Sequence, residues 1–291
     1  MLAQLLQFIF SGITIGATYA LAALGFTIIY NASGVINFAQ GEFIMLGGMA
    51  AVFLAQLGLP LPIAILAAVG VAALVGLIVA KFAIEPAKNA EVVQLIIITI
   101  GASLVIRGLV QVSLGKGTHA LPSFSGDSPL QLLGATILPQ SLWVLGVTVV
   151  VVAAIGWFFS RTTLGKAMLA TSHDKLAAQL IGVNTKMVLM LSFVLAAMLG
   201  AIGGILIAPI SMTSYDVGIM LGLKGFVAAT LGGLGSGTGA ILGGLLLGIA
   251  EAMTAGYISS AYKDAMPFVL ILFLLFFMPR GLLGAKMTER V

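Results

Sequence analysis

Few side chains in this 291-residue sequence could carry out chemistry. His119 and His173 are far apart, there is no cysteine anywhere, and no paired carboxylates stand near either histidine. The pattern therefore supplies neither a metal site nor a thiol nucleophile, and no other nucleophile sits beside a base and an orienting group. The run GGLGSGTGA, Gly232 to Ala240, has the glycine density of a phosphate cradle. A P-loop requires G-x-x-x-x-G-K-[ST], and this run contains no lysine. It reads instead as a tight turn between membrane segments, whose exposed backbone groups line a cavity or face the cytosol. The expectation is a chain that is not an enzyme and that binds no metal or cofactor itself.

The informative residues are charges inside apolar runs: Glu42, Arg107, Lys224 and Glu251. A charge at the centre of a bilayer costs at least about 2.5 to 3.5 kcal/mol, so each must face a partner or water. Two acids and two bases allow neutral pairs, and Arg107 is expected in a structural ion pair that fixes helix register. Glu42, with Asn37 and Gln40 just before it, and Lys224 and Glu251 lie in or beside glycine-rich segments, as do Gly232, Gly233 and Gly235. There the backbone can open, and these residues are the candidates for a pathway or gating role.

The elements that position them are membrane helices. Hydrophobic residues make up 60% of the chain and charged ones only 8%, against roughly a quarter charged in soluble domains. Apolar runs long enough to cross about 30 Å of hydrocarbon recur along the whole length. The fold expected is all-α: one polytopic transmembrane bundle over residues 1–291, of about eight or nine spans. The candidate spans are Leu5 to Tyr30, Asn37 to Gln56, Pro60 to Ala83, Val92 to Leu114, Ser141 to Ser160, Met187 to Ala208, Gly218 to Leu234, Ala240 to Tyr257 and Ala265 to Met278. The first reads as a retained span rather than a signal peptide, since no Lys or Arg precedes it. The segment Gly218 to Leu234, short and carrying Lys224, is a candidate re-entrant or broken element.

The net charge of +4 does not point to nucleic acid, because the basic residues sit between apolar runs rather than on a folded surface. They gather at Lys81 with Lys88, at Arg161, Lys166, Lys175 and Lys186, and at Arg280, Lys286 and Arg290. By the positive-inside rule these segments face the cytoplasm, and the parity of the spans then puts the N-terminus outside. Residues 115–140 become an external loop, either a passive connector or a contact for an external partner. The stretches beginning at Asn37 and Asp216 share a layout and start on opposite sides, the arrangement of an inverted repeat; chance similarity in a small apolar alphabet is the alternative.

Residues 161–186 form the longest polar stretch on the inner side. Ala167, Leu169, Ala170, Leu176, Ala177, Leu180 and Ile181 give it short helices with one apolar face. Asp174 is placed to cap the second helix and Gly182 to end it. The apolar face must be buried, against the protein's own membrane domain and the lipid surface or against a groove on a soluble partner.

Three strings carry a resemblance: GATYALAALGFTIIYNASGVINFAQGEFIMLGG, LGKAMLATSHDKLAAQLIGVN and GLKGFVAATLGGLGSGTGAILGGLLLGIAEA. They resemble the permease family of bacterial branched-chain amino acid ABC importers, in particular its shorter, LivH-type subunit. The resemblance implies a multi-pass protein of the bacterial inner membrane that pairs with a sister permease subunit of LivM type. Two ATPase subunits of LivG and LivF type would hold the ATP and Mg, and an external substrate-binding protein would deliver the solute. The inner loop then resembles the permease loop that docks on the ATPase, with Gly165, Lys166, Ala167, Asp174, Ala177, Ala178 and Gly182 as coupling residues. The family pattern has Arg where Lys166 stands and a further basic residue near Leu169, so this chain is less basic there. Related permeases serve urea, short amides or other amino acids, which is the alternative cargo.

Overall fold

A computed structural model describes residues 2–87, 90–126, 128–132 and 134–284. Lys88, Asp127, Lys286 and Arg290 lie outside the described residues. The chain is a helix bundle: α1 (Leu2–Ser33), α2 (Gln40–Gln56), α3 (Leu61–Ile78, continued by a π-helical turn Val79–Ile84), α4 (Val92–Leu114), α5 (Pro139–Arg161), α6 (Thr163–His173), α7 (Lys175–Leu180), α8 (Thr185–Ser211), α9 (Val217–Gly232), α10 (Gly237–Tyr257) and α11 (Met266–Phe277), the last preceded by a 3-10 turn Ser260–Ala265. Among the described residues the helices are joined by one small antiparallel hairpin, β1 (Leu130–Leu132) with β2 (Ala135–Ile137), within the segment 115–140 expected as an external loop.

All nine expected spans appear as helices, but they are not equivalent. Among the described residues seven helical segments are long and apolar enough to cross a membrane, whereas α9 has only 16 residues and α2 only 17. α9 thus has the shortness expected of the re-entrant or broken candidate Gly218 to Leu234, whereas Asn37 to Gln56 is shorter than the full span expected there, and the reason is visible in their registers. After α1 ends, residues 34–39 turn back, so that the Gln40 side chain reaches Gly25, about two turns before the end of α1. Gln40 Nε2 donates to the Ala196 carbonyl (2.9 Å), and a side chain at Gly200 would touch Phe43, both residues near the middle of α8. The start of α2 therefore lies at mid-depth in the bundle. The chain after α8 turns back in the same way: Thr213 packs on Gly48 within α2, and Gly218 then meets Gly41. Thus α2 and α9 both start at mid-depth, N-terminus against N-terminus, and leave toward opposite ends.

The two ends are defined by their contacts. One carries the basic residues: Lys186 pairs with Glu85, and Asn31 Nδ2 donates to the Gly235 carbonyl (3.0 Å). There the backbone N–H groups of Leu282 and Leu283 donate to the carbonyls of Leu231 and Gly232 (both 2.9 Å), completing the end of α9. At the other end Gln7 exchanges two hydrogen bonds with Thr136 of β2, and His119 pairs with Thr213 through two backbone bonds of 2.8 Å.

The core is built on small residues. α1 is buried along most of its length, and Gly12 and Gly16 lie against Gly248 and Gly244 of α10, so closely that a Cβ at any of them would meet backbone. The same spacing brings Gly204 of α8 onto Ile44 of α2, and Gly232 and Ala228 of α9 onto Gly239 and Gly243 of α10. Between helices in lipid the hydrophobic effect supplies little drive, and close backbone approach at small residues is what gains dispersion and packing energy. The outward faces of α3, α4, α5 and α11, with Leu66, Leu104, Val149 and Phe276, are exposed apolar surface suited to lipid. Gly248→Leu is expected to force α10 from α1 and to cost on the order of 1 to 3 kcal/mol as overpacking, lowering the thermal unfolding temperature in detergent. Gly101→Leu, where a Cβ meets nothing within 4 Å, should leave it unchanged; equal temperatures for the two variants would refute the packing account.

Candidate functional site

The meeting of the two short helices creates an electrostatic problem. The start of a helix carries roughly half a positive charge. The N–H groups of Gln40 and Glu42 donate to the carbonyls of Asn37 and Ala39 (3.2 and 3.1 Å), and those of Val217 and Ile219 to Ser214 and Asp216 (3.3 and 3.1 Å), which leaves the charge of the two meeting dipoles to be balanced. Neither helix has a side-chain cap: Ala39 precedes α2, and Asp216 before α9 instead accepts a bond from Ser214 (2.6 Å). The sequence answers with Glu42 in the first turn of α2, 1% exposed. One carboxylate oxygen, Oε1, accepts from Ser103 Oγ (2.8 Å) and from Arg107, the two ion-paired, both donors from the middle of α4. The other, Oε2, has no hydrogen-bond partner and faces Gly218, at the start of α9. One carboxylate thus stands beside both helix starts and is itself held by a guanidinium. Asn37 and Gln40 are buried in the same break, where Asn37 Oδ1 accepts from Ala39 N (3.1 Å) and Phe38 N donates to Thr99 Oγ1 (3.2 Å). Phe38 and Phe26 both pack on Phe226 of α9 beside the break.

Arg107, for which a structural ion pair was expected, has Glu42 as its ionic partner. Glu251 and Lys224 form a second pair, 2.7 Å apart, with side chains almost wholly buried. Two residues not singled out in the sequence complete it. Tyr19 Oη donates to Glu251 Oε2 (2.6 Å), and Lys224 Nζ also donates to Asp264 Oδ1 (2.7 Å) in the 3-10 turn before α11. Tyr19 gave no signal, because an uncharged phenol in an apolar run demands no partner in the way a charge does. Asp264 could have been noticed as a spare acid placed just before an apolar run. This second cluster joins α1, α9, α10 and the start of α11, so both ionic clusters hold one of the two short helices. Gly232, Gly233 and Gly235 lie away from them, at the basic end. Gly233 and Gly235 adopt φ of +101° and +93° in the turn between α9 and α10, which a side chain would strain.

At the same basic end residues 161–186 fold into α6 and α7. Thr162 Oγ1 accepts from Gly165 N (2.9 Å), Asp174 Oδ1 from Ala177 N (2.9 Å) and Asn184 Oδ1 from Met187 N (3.1 Å), so each helix is capped in turn. Gly182, with φ +89°, ends the second. The seven residues singled out here divide by burial. Gly165 lies against the Phe158 carbonyl and Ala178 is buried, so both attach the loop to the bundle. Lys166, Asp174, Ala177 and Gly182 are exposed, and Ala167 is half-buried. Beside them Leu176, Leu180 and Ile181 are 73%, 88% and 76% exposed, an uncovered apolar face beyond the membrane helices. His173 lies in this loop and His119 at the opposite end.

Removing one partner of a buried pair leaves the other uncompensated, which costs about 3 to 5 kcal/mol. Arg107→Ala is accordingly expected to reduce the folded yield and thermal stability sharply, and the double variant with Glu42→Gln to recover much of that loss. Additive losses in the double-mutant cycle would show that the two side chains do not act as a pair.

Residues 8–275 match the family described as branched-chain amino acid transport system, permease component. The chain is 36% identical to the high-affinity branched-chain amino acid transport system permease protein LivH of Escherichia coli K12, over 98% of this chain and 97% of that one. It is 35% identical to the corresponding permease protein BraD of Pseudomonas aeruginosa, over 98% of each. A more distant relative is the galactofuranose transporter permease protein YtfT of E. coli, 30% identical over 86% of this chain and 72% of its own. Among solved structures, a chain of PsaBC from Streptococcus pneumoniae in complex with Fab shares the fold, with a TM-score of 0.53 and 18% identity, covering 96% of this chain and 97% of that one. On its length, its helix bundle and these matches, the chain belongs to the branched-chain amino acid transport system permease family.

Proposed function

We propose that this chain is a membrane subunit of an ATP-driven importer of branched-chain amino acids, forming part of the translocation pathway and taking its energy from cytosolic ATPases. The observation that carries the reading is the likeness to LivH and BraD along nearly the whole chain. As a permease component of the inner membrane it is not an enzyme, and nucleotide hydrolysis belongs to partner subunits, where ATP and Mg would sit.

The basic end is the cytosolic end by the positive-inside rule. There α6 and α7 offer what an ATPase needs to push against. Leu176, Leu180 and Ile181 fit an apolar groove on a soluble partner, while Gly165 and Ala178 transmit the displacement to α5 and α8 because they pack without slack. Lys166 and Lys175, both exposed and basic, would meet an acidic rim. The LivM-type sister subunit, the LivG and LivF-type ATPases and an external binding protein complete the assembly in this reading. The hairpin β1–β2 and the His119–Thr213 contact are the surface offered to that binding protein.

The buried clusters take the gating role. Opening a path beside α2 or α9 requires their N-termini to part, and Glu42 and Lys224 hold the two helices in the closed arrangement. Cargo is selected mainly outside this chain, which fits a relative of the same family named for galactofuranose.

The subunit reconstituted alone in liposomes is expected to move no leucine. The complete complex should import leucine with ATP. Leu176→Glu with Leu180→Glu should abolish that uptake and the stimulation of ATP hydrolysis by the loaded binding protein, with the permease still folded in the membrane. Undiminished uptake by this double variant would overturn the docking assignment, and accumulation by the lone subunit would overturn the importer reading itself. Competition of labelled leucine by urea, short amides and an amino-acid panel measures which cargo the complex takes.

A further inference from the structure

A cavity of about 370 Å³ lies apart from both ionic clusters. It lies on the face of α1 between α10 on one side and α5 with α6 on the other. Its inner wall is Leu24, Ile28 and the one-turn offset Thr27, all buried; its outer wall is Val152, Ile155 and Phe159 of α5. Met168 and Leu169 of α6 and Ile241 of α10 close the sides. The cavity runs from Leu24 toward Asn31, Ser172 and Thr238 at the basic end, and therefore occupies the depth of one leaflet.

Its chemistry selects the occupant. No charged side chain lines it, so a zwitterionic amino acid would lose its hydration with nothing to replace it, at a cost of several kcal/mol. Its deep part is hydrocarbon with a single polar atom, the Thr27 hydroxyl, which is buried without a hydrogen-bond partner. Its mouth carries an amide and hydroxyls, from Asn31, Ser172 and Thr238, at the level where a lipid's glycerol esters lie. Gly156 of α5 also lines it, and a Cβ added there meets nothing within 4 Å.

From this we propose that the cavity holds one acyl chain of a phospholipid from the basic-end leaflet, inserted between α1 and the α5–α6 unit. The lipid completes the packing of α6, whose Met168 and Leu169 would otherwise border a void, and so supports the loop against the bundle. The inference goes beyond the transport reading and does not depend on it.

The test uses the full chain in nanodiscs containing a phosphatidylethanolamine with a diazirine near the middle of one acyl chain. Photolabelling should mark α5 and α6 within residues 152–169, in addition to the outer faces of α4 and α11. Gly156→Phe, which fills the cavity from an unobstructed position, should lose the inner labelling and keep the outer. Thr238→Phe, at the exposed mouth, serves if the first variant is poorly folded, and should give the same loss. The proposal is overturned if inner labelling is absent in the wild type, if it persists in both folded variants, or if free leucine displaces it while excess unlabelled phospholipid does not.

Discussion

Two helices begin in the middle of a bilayer-spanning bundle, and the positive ends of their dipoles meet where Gly41 touches Gly218. A water-soluble protein could leave such ends to solvent; here the interior must answer them. Glu42 does so from the first turn of α2, turning one oxygen to the start of α9 and giving the other to Arg107 and Ser103. Most of the architecture follows from keeping that carboxylate in place. α4 supplies its guanidinium, α8 receives the side chain of Gln40, and Phe26 and Phe38 pack beside the break on Phe226 of α9.

The second constraint is closeness. The glycines and alanines at four-residue spacing in α1, α8, α9 and α10 bring backbones together where larger residues would hold them apart. That closeness gives the ionic clusters their short distances, since Lys224 reaches Glu251 only because α9 and α10 touch along Gly232–Gly239 and Ala228–Gly243. Packing and electrostatics are therefore one arrangement: the small residues set the helix separations, and the charges fix which turn meets which.

Much of this was legible in the sequence because membrane helices announce themselves by length and by the cost of any charge inside them. The nine segments, the caps of the inner loop by Asp174 and Gly182, and an ion pair at Arg107 all follow from local rules. What was not legible depended on return paths. Nothing in Asn37 to Gln56 says that α2 starts level with the middle of α4, because depth is set by residues 34–39 doubling back and by Ser103 and Arg107 far along the chain. Likewise Lys224 could be recognised as needing a partner, but Tyr19 and Asp264 join it through tertiary contact alone. The hairpin at 130–137 was hidden because two three-residue strands carry too little periodicity to register.

The completion of α9 by Leu282 and Leu283 has a consequence for biogenesis. The helix lacks a side-chain cap at its start, its lysine needs an acid forty residues later, and its last carbonyls receive their donors from fifty residues later. During synthesis α9 therefore leaves the ribosome well before the partners that satisfy it. The contacts that satisfy this 16-residue helix can close only once the tail of the chain has been made.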